Sequence, residues 1–110
     1  MSIALPKPIA DYFAADADPT NRAAVAECFN ETATVTDERN TYHGRDAIRQ
    51  WKDGPASKYS YTSTPFALEQ KDGKTIVTSH LVGNFPGHET DLRYVFTLDG
   101  QKIAALDIVP

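Results

Sequence analysis

Apolar side chains recur at Ile9, Tyr12 and Phe13, the i, i+3, i+4 spacing that gives a helix one greasy face. Pro6 and Pro8 stop regular structure upstream and set the first turn of that helix. Asp16-Ala17-Asp18-Pro19 breaks it, and Asp18 before Pro19 reads as the N-cap of a second helix with proline at its first position. Val25, Cys28 and Phe29 make the second helix's stripe and carry it to about Asn30. Thr32 to Thr36 is dense in β-branched residues, so a short strand follows, ending in the polar loop Asp37-Glu38-Arg39-Asn40. Gly44 opens a third helix with Ile48 and Trp51 on one face, and Gly54-Pro55 closes it.

Beyond Pro55 the helical period gives way to alternation. Tyr59 to Gln70 alternates loosely and Lys71-Asp72-Gly73-Lys74 makes a turn. Thr75 to Phe85 reads as a long strand stopped by Pro86-Gly87. In Asp91 to Leu98 the residues Leu92, Tyr94, Phe96 and Leu98 share one face, and Asp99-Gly100 is a strong hairpin signal before the last strand, Ile103 to Val109. Helices first and long strands afterwards predict an α+β fold, with helices on one face of an antiparallel sheet.

Composition narrows this picture without naming a function. The chain has 110 residues, 41% hydrophobic and 24% charged, which predicts one globular domain spanning 1–110. A formal net charge of −4 argues against a nucleic-acid partner, which needs a basic face to neutralise phosphate. No apolar stretch approaches the ~20 residues of a membrane span. Met1 to Pro8 lacks the basic start and long apolar centre of a signal peptide, so a cytoplasmic protein with no membrane partner is expected. Cys28 is alone, which excludes an internal disulfide. His43, His80 and His88 share no ligand spacing, so no metal is expected, and no cofactor-binding motif is present.

The segments Phe29-Asn30-Glu31-Thr32-Ala33-Thr34-Val35-Thr36-Asp37 and Tyr42-His43-Gly44-Arg45-Asp46-Ala47-Ile48-Arg49-Gln50-Trp51 carry a family resemblance. So do Gly83-Asn84-Phe85-Pro86-Gly87 and Asp91-Leu92-Arg93-Tyr94. Together they resemble the nuclear transport factor 2-like superfamily, and within it the SnoaL-like branch that also holds relatives of ketosteroid isomerase and limonene epoxide hydrolase. The resemblance covers essentially the whole chain. It implies a cone in which three N-terminal helices pack on a curved antiparallel sheet around an apolar pocket, and homodimers built through the outer sheet face. The scaffold hosts unrelated reactions, so it indicates fold more strongly than chemistry.

What the resemblance implies chemically is cofactor-independent acid–base work, of isomerase or cyclase type, on a small apolar carbonyl compound. Asp37 falls where ketosteroid isomerase carries its proton-shuttling carboxylate, and an apolar pocket would raise its pKa into a useful range. Tyr12 matches the tyrosine that donates to the oxyanion, and Tyr94 stands where the isomerase has a protonated aspartate. Lys52 departs from the pattern, occupying the position of a second aromatic after Trp51. Trp51, Phe66, Leu92, Phe96 and Leu106 are expected to wall the pocket, with Ser79 and Leu81 pointing inward and His43 at its mouth. Asp91, Arg93, His80 and Asp107 alternate to the outer face, where an Asp–Arg pair is structural, and His88 falls in an exposed turn. The alternative is a non-catalytic domain that binds a hydrophobic small molecule.

Overall fold

A computed structural model describes residues 3–18, 23–54 and 60–110. Helix α1 (Lys7–Asp16) starts on Pro6 and Pro8 and buries Pro8, Ile9 and Tyr12. Helix α2 (Ala23–Glu27) buries Val25 and Ala26. Strand β1 (Phe29–Asp37) and strand β2 (Asn40–His43) form a hairpin, and helix α3 (Arg45–Asp53) follows, burying Ile48, Trp51 and Lys52. Four long strands complete the fold: β3 (Tyr61–Lys71), β4 (Lys74–Gly83), β5 (Glu89–Asp99) and β6 (Lys102–Val109).

All six strands join in one sheet, ordered β2-β1-β6-β5-β4-β3. The β3–β4, β4–β5 and β5–β6 pairs are antiparallel, as the alternation and turns predict. The sheet is nevertheless mixed, because β1 lies parallel to β6, with Val35 opposite Leu106. This pairing corrects the all-antiparallel expectation. It links residues far apart in the chain, and no local pattern encodes such a partner.

The helical half needs three further corrections. The third helix follows the first strand, as the pattern has it, but a second strand, β2, also precedes it where no strand was expected. The second helix ends at Glu27 rather than near Asn30, and Phe29 opens β1, a nine-residue strand rather than a short one. Glu38-Arg39 is not a loop end but a two-residue hairpin turn, both residues taking positive φ (50° and 69°), which ordinarily favours Asn-Gly. The expected N-cap at Asp18-Pro19, the helix stop at Gly54-Pro55 and the start of an alternating segment at Tyr59 involve positions outside the described residues.

Helices and sheet share one core. Ile9, Tyr12, Val25, Phe29, Ile48 and Trp51 pack against the inward-facing Val35, Val77, Leu81, Tyr94, Phe96 and Leu106. Arg45 Nε donates to the Phe29 carbonyl at 2.8 Å, and the Gly44 amide to the Ala33 carbonyl at 2.8 Å, so the start and middle of β1 anchor the N-terminal end of α3. Among the described residues no helix is long and apolar enough to cross a membrane.

Candidate functional site

A cavity of about 350 Å³ lies between the helices and the inner sheet face, near the lower end of ligand-site sizes. Tyr12 from α1, Asp37 from β1, Trp51 and Lys52 from α3, and Tyr61 and Tyr94 from the sheet supply its polar groups. Leu81, Phe85, Pro86, Leu92 and Ile108 supply its apolar wall.

Local geometry explains each placement. Ala33 and Val35 are buried, and a strand turns every second residue the same way, so Asp37 is delivered to the inner side. Trp51 lies on the buried face of α3 and donates its indole N–H to Asp37 Oδ2 at 3.0 Å. Burial pushes the Asp37 carboxyl above its ordinary value of 3.8, and the Trp51 hydrogen bond opposes that rise. Nearby charges add smaller effects: Glu38 pushes the value up and Lys52 pulls it down.

Three phenols face the same space. Tyr12 is 1% exposed, ringed by Phe13, Phe29, Tyr94 and Phe96, its centroid 6.3 Å from that of Tyr94. Burial, with Asp16 second, pushes Tyr12, Tyr61 and Tyr94 well above the usual phenol range, so all three stay protonated donors. Their protons are not equally available. Tyr61 donates to Asp16 Oδ2 at 3.0 Å, whereas hydrogen bonding with Ser63 partly offsets the rise at Tyr94. Ser63 in turn shares a 2.6 Å hydrogen bond with Ser79.

A second polar cluster escaped the sequence reading. Lys52 and Asp16 form an ion pair whose side chains are 6% and 3% exposed, and Tyr61 completes it. Asp16 read only as a helix breaker and Lys52 only as a missing aromatic. The pair joins α1 to α3, and its signal in the sequence was faint: a lysine one residue past a buried tryptophan.

Six of the expected site residues therefore meet on one cavity: Tyr12, Asp37, Trp51, Leu81, Leu92 and Tyr94. Five others lie elsewhere. Phe96 and Leu106 are opposite each other on β5 and β6 and fully buried in closed core. Ser79 is also fully buried and bonds to Ser63 instead of reaching the cavity. Phe66 is 49% exposed because β3 shifts register between Pro65 and Ala67, leaving it as the extra residue of a bulge. His43 is exposed, paired with Thr34 on the unforeseen β2. On the outer face, as the alternation predicts, His80 bonds Asp91 at 2.6 Å and Arg93 reaches the Pro110 carbonyl.

No protein-family model matches the chain, and no curated protein does. Solved structures do. A candidate polyketide cyclase from Sinorhizobium meliloti is 33% identical over 94% of both chains, with a TM-score of 0.85. A protein from Catenulispora acidiphila with a ketosteroid isomerase-like fold, solved with trimethylamine, has a TM-score of 0.81 at 18% identity and covers 97% of this chain and 87% of its own. The epoxide hydrolase/cyclase-like enzyme SalBIII, which acts in pyran ring formation in the polyether salinomycin, has a TM-score of 0.76 at 25% identity over 93% of this chain and 86% of its own.

Proposed function

The chain belongs to the nuclear transport factor 2/SnoaL-like superfamily, and we propose that it is a cofactor-independent acid–base enzyme of isomerase or cyclase type acting on a small apolar carbonyl compound. One observation carries this reading: a carboxylate with its pKa raised by burial, oriented by Trp51, lines a largely apolar cavity that also holds Tyr12 and Tyr94.

Asp37 takes a proton from the carbon next to the substrate carbonyl. The C–H electron pair moves into the conjugated system and the carbonyl oxygen becomes an enolate oxygen. Tyr12 and Tyr94 hydrogen-bond that oxygen, so its charge develops against donors already in position. Tyr61 is not assigned this role, because its proton is engaged by Asp16. Asp37 then returns the proton to another carbon, giving an isomer, or the enolate carbon closes on an internal electrophile, giving a ring. Asp37 ends unprotonated in the first case and hands its proton to the ring-closed product in the second.

Conjugated enones and β-dicarbonyls on apolar rings, followed by absorbance, test the proposal. Asp37→Asn is expected to lower turnover by at least about 100-fold. Unchanged turnover in Asp37→Asn removes the assignment. Ligand binding with no turnover by the native protein leaves the non-catalytic binding domain in its place. We also propose that the protein pairs with a second copy through the outer sheet face, where Val82 alternates outward with His80 and is 46% exposed.

A further inference from the structure

We infer that the Lys52 ammonium is a ligand-recognition group of this cavity, selecting a molecule that presents an ionised oxygen conjugated to an apolar ring, an enolate or a phenolate. The inference rests on the cavity being a ligand site, and it adds a role for a residue that the acid–base scheme leaves unused.

Lys52 lines the cavity although its side chain is only 6% exposed. Among the described residues its hydrogen-bond partner is Asp16, and an ammonium carries three donors. The second oxygen of Asp16 is taken by the Tyr61 hydroxyl. That carboxylate is thus held from two sides and keeps Lys52 directed along one donor, with the Trp51 ring centroid 5.0 Å from the nitrogen. A cation so far removed from water, with two donors that no described residue takes, gains most from an added acceptor that bears charge.

The surrounding charges sharpen the choice. The other ionisable side chains on the wall are Asp37 and Glu38 from the β1–β2 hairpin and the neutral phenols Tyr12, Tyr61 and Tyr94. Asp16, paired with Lys52, adds a negative charge that also disfavours ionised phenols at Tyr12, Tyr61 and Tyr94, so an anionic oxygen is repelled from both the hairpin and the Asp16 side, and direct hydrogen bonding to Lys52 is what can hold it. The same arrangement suits the proposed reaction. As Asp37 takes up a proton its negative charge disappears, and an equal charge develops on the oxygen held by Tyr12 and Tyr94, in a cavity whose wall also carries the Lys52 cation.

4-Nitrophenol and its neutral analogue 4-nitroanisole test this on the whole protein. Bound 4-nitrophenol is expected to ionise at lower pH than the free compound, read from the visible band of the phenolate. It is expected to bind at least about tenfold more tightly than 4-nitroanisole. Lys52→Gln should remove both effects while leaving 4-nitroanisole affinity within about threefold. Asp16→Asn frees the ammonium and should strengthen phenolate binding further. A merely structural ion pair would instead make both variants weaken both probes alike, and that result overturns the inference. So does a native protein that binds neither probe, or binds 4-nitrophenol in its neutral form. Should either variant fail to fold, the ionisation of the probe on the native protein decides alone. Asp37→Asn separates this inference from the catalytic one, because it should abolish turnover and keep the phenolate preference.

Discussion

At Asp37 two opposed effects meet in one side chain. Burial favours the neutral acid, and the Trp51 indole N–H favours the carboxylate, with burial the larger. Trp51→Phe removes the donor and keeps an aromatic ring. It should raise the Asp37 pKa further, seen by carboxyl NMR, and cost about 1–3 kcal/mol of stability by chemical denaturation from the lost hydrogen bond and smaller ring. The sign for stability follows from the raised folded value. Asp37's contribution is full below its unfolded pKa and is lost as pH rises through the folded one. Tyr12 and Tyr94 could be placed on one apolar face from helical spacing and alternation, whereas Asp37, expected to open a polar loop, was placed in the site by the family resemblance. Lys52 and Asp16 could not: their partnership spans two helices, and a buried charge looks like a surface charge until its partner is known.

Among the elements, β3 and β4 form the part of the sheet that sets Tyr61. A Cβ on Gly83 would lie 2.3 Å from the Ser60 carbonyl oxygen and 2.6 Å from Tyr61 Cβ. Gly83→Ala must therefore push the start of β3 away and carry Tyr61 from Asp16. A loss of about 1–3 kcal/mol is expected in a thermal or denaturant melt, together with weakened binding of any cavity ligand. Strands β3 to β6 were legible because turns such as Lys71-Asp72-Gly73-Lys74 and Asp99-Gly100 mark their ends and alternation fills their length. Strand β2 was hidden by a Glu38-Arg39 turn with no glycine, and with it went the placement of His43. Phe66 was misplaced for a related reason. A bulge adds one residue to the strand, and alternation carries no trace of it.

At the scale of the whole molecule, the α+β architecture was readable and the parallel β1–β6 pairing was not, since that contact closes the sheet across most of the chain. An acidic chain of net charge −4 keeps a largely apolar cavity because helices cover the inner sheet face and most polar side chains alternate outward. The outer face makes its own prediction. Sedimentation velocity should report twice the 12.1 kDa chain mass, and Val82→Lys should return the protein to one chain. A native protein that sediments as one chain contradicts the proposed pairing. The claim beneath all the chemistry is that Asp37 is a desolvated acid on a ligand cavity. Titrating its side-chain carboxyl by carbon-13 NMR, assigned against Asp37→Asn, tests this most directly. A midpoint above 3.8 is predicted, and a midpoint at or below 3.8 would mean that burial does not prevail over the groups that favour the carboxylate, and would end the catalytic account.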